Sequence, residues 1–144
     1  MNANSRFTVA IHIMTMLAYG REQRLTSEFI SRSVTTNPVV IRRIMGELRR
    51  AGLVSSHAGR GGGWQLTKAP EQISLRDIYL AVKEGPLFPP PHSKPNPQCC
   101  IGRTILRAVQ DIFEDAESVL EQQFAQITVA DVLAKSLAGE TLAR

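Results

Sequence analysis

The chain has 144 residues, 43% of them hydrophobic, which is enough to bury a core and fits one domain. Its net charge of +4 is unevenly placed: residues 1–70 hold 10 Lys and Arg against 3 Asp and Glu, residues 71–144 hold 7 against 10. That asymmetry suggests a polyanion-binding module joined to something else, while the absence of an apolar run near the ~20 residues that span a bilayer argues against a membrane protein.

The opening stretch carries no signal peptide, because Arg6 and His12 interrupt it and no small-residue cleavage site follows. A cytoplasmic protein is expected. Residues 5–19, SRFTVAIHIMTMLAY, have the spacing of a first helix, with Ser5 as cap and Gly20 as stop. Phe7, Ala10, Ile11, Met14, Leu17 and Ala18 mark its buried face. His12 reads as a partly buried histidine hydrogen-bonded within the fold, since no second ligand lies at helical spacing. Arg6 is a candidate phosphate contact or a solvated side chain. Thr26 to Val34 reads as a short second helix, capped by Thr26 and favoured by Glu28 in its first turn, with Phe29, Ile30 and Val34 facing inward.

After a brief turn at Thr35–Thr36 comes a helix with its own start and stop signals. Asn37 is a good N-cap, Pro38 at N1 loses nothing by lacking an N–H, and Gly52 suits a left-handed C-terminal residue. Ile41, Ile44, Leu48 and Ala51 form an apolar stripe. The other face offers Arg42, Arg43, Arg49 and Arg50, with Glu47 the only acid. Arginine pairs bidentately with guanine edges and also grips phosphate, so this helix suits a DNA major groove, and the helix pair reads as a helix-turn-helix. Leu53–His57 and Trp64–Thr67 can then pair as a hairpin around Ala58-Gly59-Arg60-Gly61-Gly62-Gly63. Arg60 at its tip fits a narrow, electronegative minor groove. A mobile surface hairpin is the plainer alternative. A nucleotide-cradling loop is disfavoured, because no Lys-Ser/Thr follows the glycines and a strand, not a helix, comes next.

At this point the segments SRFTVAIHIM, TNPVVIRRIMGELRRAGLVSS, GRGGGWQLTKAPEQISLRDIYLAV and NPQCCIG resemble the winged helix-turn-helix regulators of the Rrf-two family. TNPVV-RR and NP-C-IG are most like its YwnA-like branch, which lacks an iron–sulfur cluster. The resemblance covers nearly the whole chain. It implies a homodimer on an operator, with a long C-terminal helix joining the subunits. It places base and groove contacts on Asn37, Val39, Val40, Arg42 and Arg43, and on Arg60 with its neighbours Gly61 and Gly62.

Ile73 to Lys83 reads as a fourth helix, with Ser74 and Asp77 as a capping box, Leu75, Ile78, Tyr79 and Val82 inward, and Gly85 as stop. Pro70 marks the exit from the hairpin. Residues 85–98 hold six of the eight prolines and read as an extended spacer. They separate a winged module (1–84) from a dimerisation and closing segment (99–138). Cys99 and Cys100 are expected to open the last long helix, where unpaired N–H groups favour a thiolate. A redox-sensing role for this pair stays open beside an incidental one. Cluster-bearing family members have three cysteines in this loop; two adjacent ones, with no third anywhere, argue against a cluster. From Ile101 to about Ile127 the apolar pattern spans ~27 residues and ~40 Å of helix. Leu106, Val109, Phe113, Ala116, Leu120 and Phe124 form one row, and Ile105, Ile112 and Val119 a second at sevenfold spacing. Two rows suit one contact within the subunit and one with a partner. Thr128 should cap a final helix, Val129 to Leu137, packed back on the module, and residues 139–144 should fray.

The expected fold is mainly α with a small β-hairpin wing and a long C-terminal dimerisation helix. The expected function is sequence-specific regulation of transcription by a homodimer on a palindromic duplex operator, leaning toward repression, with a small-molecule or redox effector left open. Arg49 and Arg50, farther along the helix, suit phosphate or solvent. A protein-interaction scaffold without specific DNA binding is the alternative reading. No metal-spaced cluster or catalytic set points to an enzyme, and His12, His57 and His92 share no motif.

Overall fold

Ala3–Tyr19 forms helix α1 in the computed structural model, which describes residues 3–143. Ser27–Val34 forms α2, Pro38–Arg50 α3, Val54–His57 β1, Gly63–Leu66 β2, Leu75–Val82 α4, Ile105–Ala125 α5 and Val129–Leu142 α6. Local signals set most of these starts. Thr26 Oγ1 accepts from the Phe29 N–H at 3.1 Å, and Asn37 Oδ1 accepts from the Val39 N–H at 2.8 Å. Ser74 with Asp77, and Thr128 with Asp131, close reciprocal capping boxes. α2 ends on Thr35 in the left-handed region (φ 58°), and α3 is followed by Gly52 (φ 76°). β1 and β2 pair antiparallel with Val54 opposite Leu66 and His57 opposite Gly63. The fold is thus mostly helical with a hairpin wing, as the sequence implies.

One core joins these elements. α1 supplies Ala10, Ile13, Met14, Leu17 and Ala18; α3 supplies Ile41, Ile44, Met45 and Leu48; Leu53, Val54, Ile73, Ile78, Val82 and Val129 close it. The buried Tyr79 and the half-buried Phe7 and Phe124 form an aromatic trio, with ring centroids 5.1 to 5.9 Å apart. The two capping boxes sit against each other: Leu75 N–H donates to Ile127 O at 2.8 Å, and Val129 N–H to Ile73 O at 2.9 Å. This staples the start of α6 to the start of α4 and lays α6 on α1, the packing back expected of it.

Several expectations change. Arg6 is neither a phosphate contact nor solvated. It is buried at 5% exposure, ion-paired with Glu47 of α3, and its Nε lies 3.5 Å from Glu84. Phe29 is 48% exposed, because Ile30, Ser27 and Ser31 fill the inner face of α2 and leave Phe29 on its flank under Arg32. Ala51 is exposed and Met45 takes its place in the buried stripe. His12 is exposed, though its Nε2 is 3.1 Å from Ser33 Oγ. α5 begins at Ile105, not near Cys99, so it has 21 residues and spans ~31 Å. α6 runs through Leu142, beyond the expected end at Leu137 and through the stretch expected to fray; Arg144 lies outside the described residues.

α5 is held by polar contacts in addition to the ring contacts of Phe124. Tyr79 Oη donates to Glu117 at 2.7 Å, Lys83 Nζ reaches Glu117 at 3.0 Å, and Arg76 reaches Glu121 at 3.4 Å. The Tyr79 hydrogen bond and Lys83 hold the Glu117 carboxyl below its ordinary pKa, and burial, then Glu117, push the Tyr79 hydroxyl up. No residue of α5 is buried.

Truncating Arg6 should leave Glu47 half-buried and unpaired. Arg6→Ala is expected to cost about 3 kcal/mol in urea denaturation, and Arg6→Met with Glu47→Met to restore most of it. A loss below about 1 kcal/mol in the single variant would show that the pair does not tie α1 to α3.

Candidate nucleic-acid interface

α2 and α3, joined through Thr35 to Asn37, form the helix-turn-helix, and the β1–β2 hairpin stands beside α3 as a wing. Because Ile41, Ile44, Met45 and Leu48 are all fully buried, the opposite side of α3 must face out. It presents Asn37, Val39, Arg42, Arg43, Arg49 and Arg50, all exposed. Val40 differs, being half-buried against the core.

The start of α3 has fewer free donors than the sequence suggests. Pro38 has no N–H, Val39 N–H is taken by Asn37 Oδ1, and Val40 and Ile41 N–H donate to Asn37 O at 3.0 and 3.3 Å. What remains for a phosphate is the helix dipole and the Asn37 amide nitrogen. Val39, 57% exposed, is an apolar side chain at the tip of the helix and suits contact with a thymine methyl. Arg42 is ion-paired with Glu28 of α2. The carboxyl of Glu28 is held below its ordinary pKa by its own backbone N–H first and by Arg42 next. Arg43 and Arg50 have no ion-pair partner among the described residues. Arg49 leans on the wing: its Nη1 donates to Ser56 Oγ at 3.3 Å, and its guanidinium lies 6.0 Å from the Trp64 ring centroid.

The wing has more support than two strands. Leu25 and Trp64 exchange backbone hydrogen bonds of 3.0 and 2.8 Å, adding a single β-bridge to the edge of the hairpin, and Trp64 Nε1 donates to Ser27 Oγ at 3.2 Å. Gly63 (φ 139°) allows this, since a Cβ there would stand 2.8 Å from Leu25 O. Arg60 is exposed at the tip between Gly59 (φ 80°) and Gly61 (φ 73°). Arg24 Nη1 lies 3.5 Å from Gly61 O and adds a second cation beside the tip. Arg24, Glu28 and Gly63 were not singled out as site residues from sequence. Their signal is spatial: Leu25 forms a β-bridge only by pairing with Trp64, which lies far along the chain.

Cys99 and Cys100 lie far from α3 in chain order, exposed in a tight turn before α5 rather than inside its first turn. Cys99 N–H donates to Asn96 O at 3.2 Å, and Gly102 is pressed so close that a Cβ would meet Asn96 O at 2.3 Å. The N–H groups of Gly102 and Ile101 lower the pKa of the Cys99 thiol, with the Cys100 thiol adding to it. The thiolate is favoured as expected, but by turn amides instead of a helix end.

A family model described as Rrf2, iron-dependent transcriptional regulator, matches residues 3–135. The chain belongs to the Rrf2 family. The Bacillus subtilis protein named as the HTH-type transcriptional regulator YwnA is 38% identical over 130 residues, covering 90% of this chain and 96% of its own. A crystal structure of a protein described as DNA-binding is 35% identical at a TM-score of 0.73, covering 89% of this chain and 98% of its own. IscR of T. potens matches at a TM-score of 0.70 over 94% of this chain and 88% of its own, at 20% identity, and so shares the fold. The Rrf2 chain described here is accordingly a winged-helix transcriptional regulator that binds DNA, in a family of regulators rather than enzymes. No helix among the described residues is long and apolar enough to cross a membrane. The iron of the family description does not fit the donors present as a cysteine-held cluster. Adjacent thiols cannot take the spaced ligand positions of a cluster, the sequence has no third cysteine, and no described group of three His, Cys, Asp or Glu could hold a metal.

Two glycines of the wing should respond differently. Gly61→Ala keeps open space around a left-handed backbone and should cost about 1 kcal/mol. A Cβ at Gly62 would meet His57 O at 2.3 Å, so Gly62→Ala should open the hairpin and lose amide protection at Trp64. Equal losses in thermal melts and hydrogen exchange would contradict this wing geometry.

Proposed function

We propose that the chain is a cytoplasmic, homodimeric repressor that reads a palindromic operator through α3 and the wing, without an iron–sulfur cluster. The observation that carries it is the one-sidedness of α3: four apolar side chains fully buried, and Val39, Arg42 and Arg43 exposed together on the side that the wing flanks. Arg42 and Arg43 read base edges, Val39 a thymine methyl, Arg50 and Asn37 the backbone, and Arg60 the minor groove between Gly61 and Gly62. Arg49 serves chiefly to set the wing against α3.

Support for a dimer comes from α5. Ile105, Ile112 and Val119 are 37%, 63% and 65% exposed along one row. Seven residues separate Ile112 from each of the others, so a two-fold axis at Ile112 sets it on its own copy and Ile105 on the partner subunit's Val119. One recognition helix reads too few bases for genomic selectivity, and paired half-sites supply the rest. The family leaning of the sequence favours repression. An oxidant reaching the exposed Cys99 thiolate is the candidate input. A scaffold without DNA binding would leave the cationic face of α3 without a counterpart, and salt-insensitive indifference to random duplex would favour that reading.

Selection of bound duplexes from a random pool should return inverted repeats. Arg42→Ala or Arg43→Ala should then cost about 1–3 kcal/mol and relax one position in each half-site, whereas Arg60→Ala should weaken AT-rich flanks. Unchanged operator binding in both helix variants would show that the wrong face has been assigned. Ile112→Asp should yield monomers by sedimentation at micromolar concentration, and a persistent dimer would remove α5 from the interface.

A further inference from the structure

The outward face of the helix-turn-helix contains one carboxylate in contact with a proposed base-reading arginine. Glu28, in the first turn of α2, is ion-paired with Arg42 of α3 across the motif. Both side chains are more than half exposed, at 59% and 53%. An exposed pair of this kind adds little to stability. Yet a negative charge on a surface that meets a polyanion opposes every phosphate it approaches.

We infer that Glu28 is a specificity-determining residue, which holds Arg42 for a base edge and penalises binding through phosphates alone. This rests on the reading of α3 as the DNA-contacting helix. A guanidinium has five N–H donors in a planar fork. Arg42 can keep one edge on Glu28 and turn another to the O6 and N7 acceptors of guanine. On random sequence a guanine is seldom in register, and phosphates are the contacts every position offers. Arg42 must then leave Glu28 to gain one, and the unpaired carboxylate remains beside the backbone. The face therefore gains least from the contacts that every duplex provides. Glu28 acts as a positioning residue through Arg42, so its effect should vanish when Arg42 is absent.

Binding to the selected operator and to a random duplex of equal length is measured across a salt series for wild type, Glu28→Gln, Arg42→Ala and the double variant. Glu28→Gln should tighten random-duplex binding roughly tenfold near 0.1 M salt. Its salt dependence should steepen by about 0.9 in log–log slope, as one further phosphate is neutralised. Operator affinity should rise less, so the ratio of operator to random affinity falls. In the Arg42→Ala background the same substitution should change random binding less than about twofold. Melting temperatures should stay within a few degrees, since the pair is exposed. Equal gains on both duplexes, or a gain that persists without Arg42, would overturn the inference and reduce Glu28 to a distant charge. Wild-type indifference to every duplex at low salt would instead remove the reading of α3 and this inference with it.

Discussion

Arg6 takes the only acid of α3 away from the face that meets solvent. Glu47 lies one turn from both Arg43 and Arg50, where it could neutralise either by i, i+4 or i, i+3 pairing. Instead it turns inward to a guanidinium with 5% exposure on α1. Two consequences follow from this single contact. Arg43 and Arg50, the two within reach of Glu47, keep their charge for an external partner. And α3 is tied to α1 by a buried, directional pair in addition to apolar packing. Glu84, two residues past α4, approaches the Nε of the same guanidinium, so α1, α3 and the segment leaving α4 meet at one cation.

The wing depends on α3 in a different way. Its strands are four residues each, too short to stand alone as a hairpin. Leu25 lends a β-bridge, Ser27 accepts from the Trp64 indole, and Arg49 spans from α3 to Ser56. The tip at Arg60 is consequently the exposed end of a hairpin whose base is anchored at three points. A loop of this kind can follow groove width while the helix beside it holds register.

Most of the α3 region was legible in the sequence, because its signals are local. A cap, a proline at N1 and a glycine stop act within a few residues, and a stripe at 3.6 spacing needs no partner to be seen. What failed was non-local. Arg6 precedes Ala10, Ile13 and Leu17 at stripe spacing, so its burial was visible as a pattern, but only the arrival of Glu47 from α3 makes that burial tolerable. Phe29 reads as core by hydrophobicity, yet the inner face of α2 must be small enough for Trp64 to reach Ser27. The boundary errors have the same origin. Cys99 to Thr104 contain no proline, but Gly102 is drawn tightly onto Asn96, and that turn delays α5 until Ile105. α6 outlasts its expected end although Gly139 sits inside it, since the helix is capped by Thr128 and laid along α1.

The position of the cysteines decides where a signal arriving at them must act first. Thr104 Oγ1 donates to Cys100 O at 3.2 Å, and Arg103 N–H to Cys99 O at 3.0 Å, so the turn is hydrogen-bonded into the start of α5. Farther along, Phe88 of the proline-rich loop stacks on Phe113 at 4.7 Å. The turn and the loop thus both bear on α5, whose contact with the rest of the subunit is the brace of Glu117 and Glu121 with Tyr79, Lys83 and Arg76, together with Phe124. A polar brace tolerates a small rotation or slide better than a packed core does. Chemistry at Cys99 would therefore reach α3 only after moving α5, the helix whose exposed row is proposed to pair the subunits. If the subunits pair through that row as proposed, the spacing between two recognition helices would change before the shape of either, and operator binding would be lost by misalignment of half-sites while each α3 stays intact.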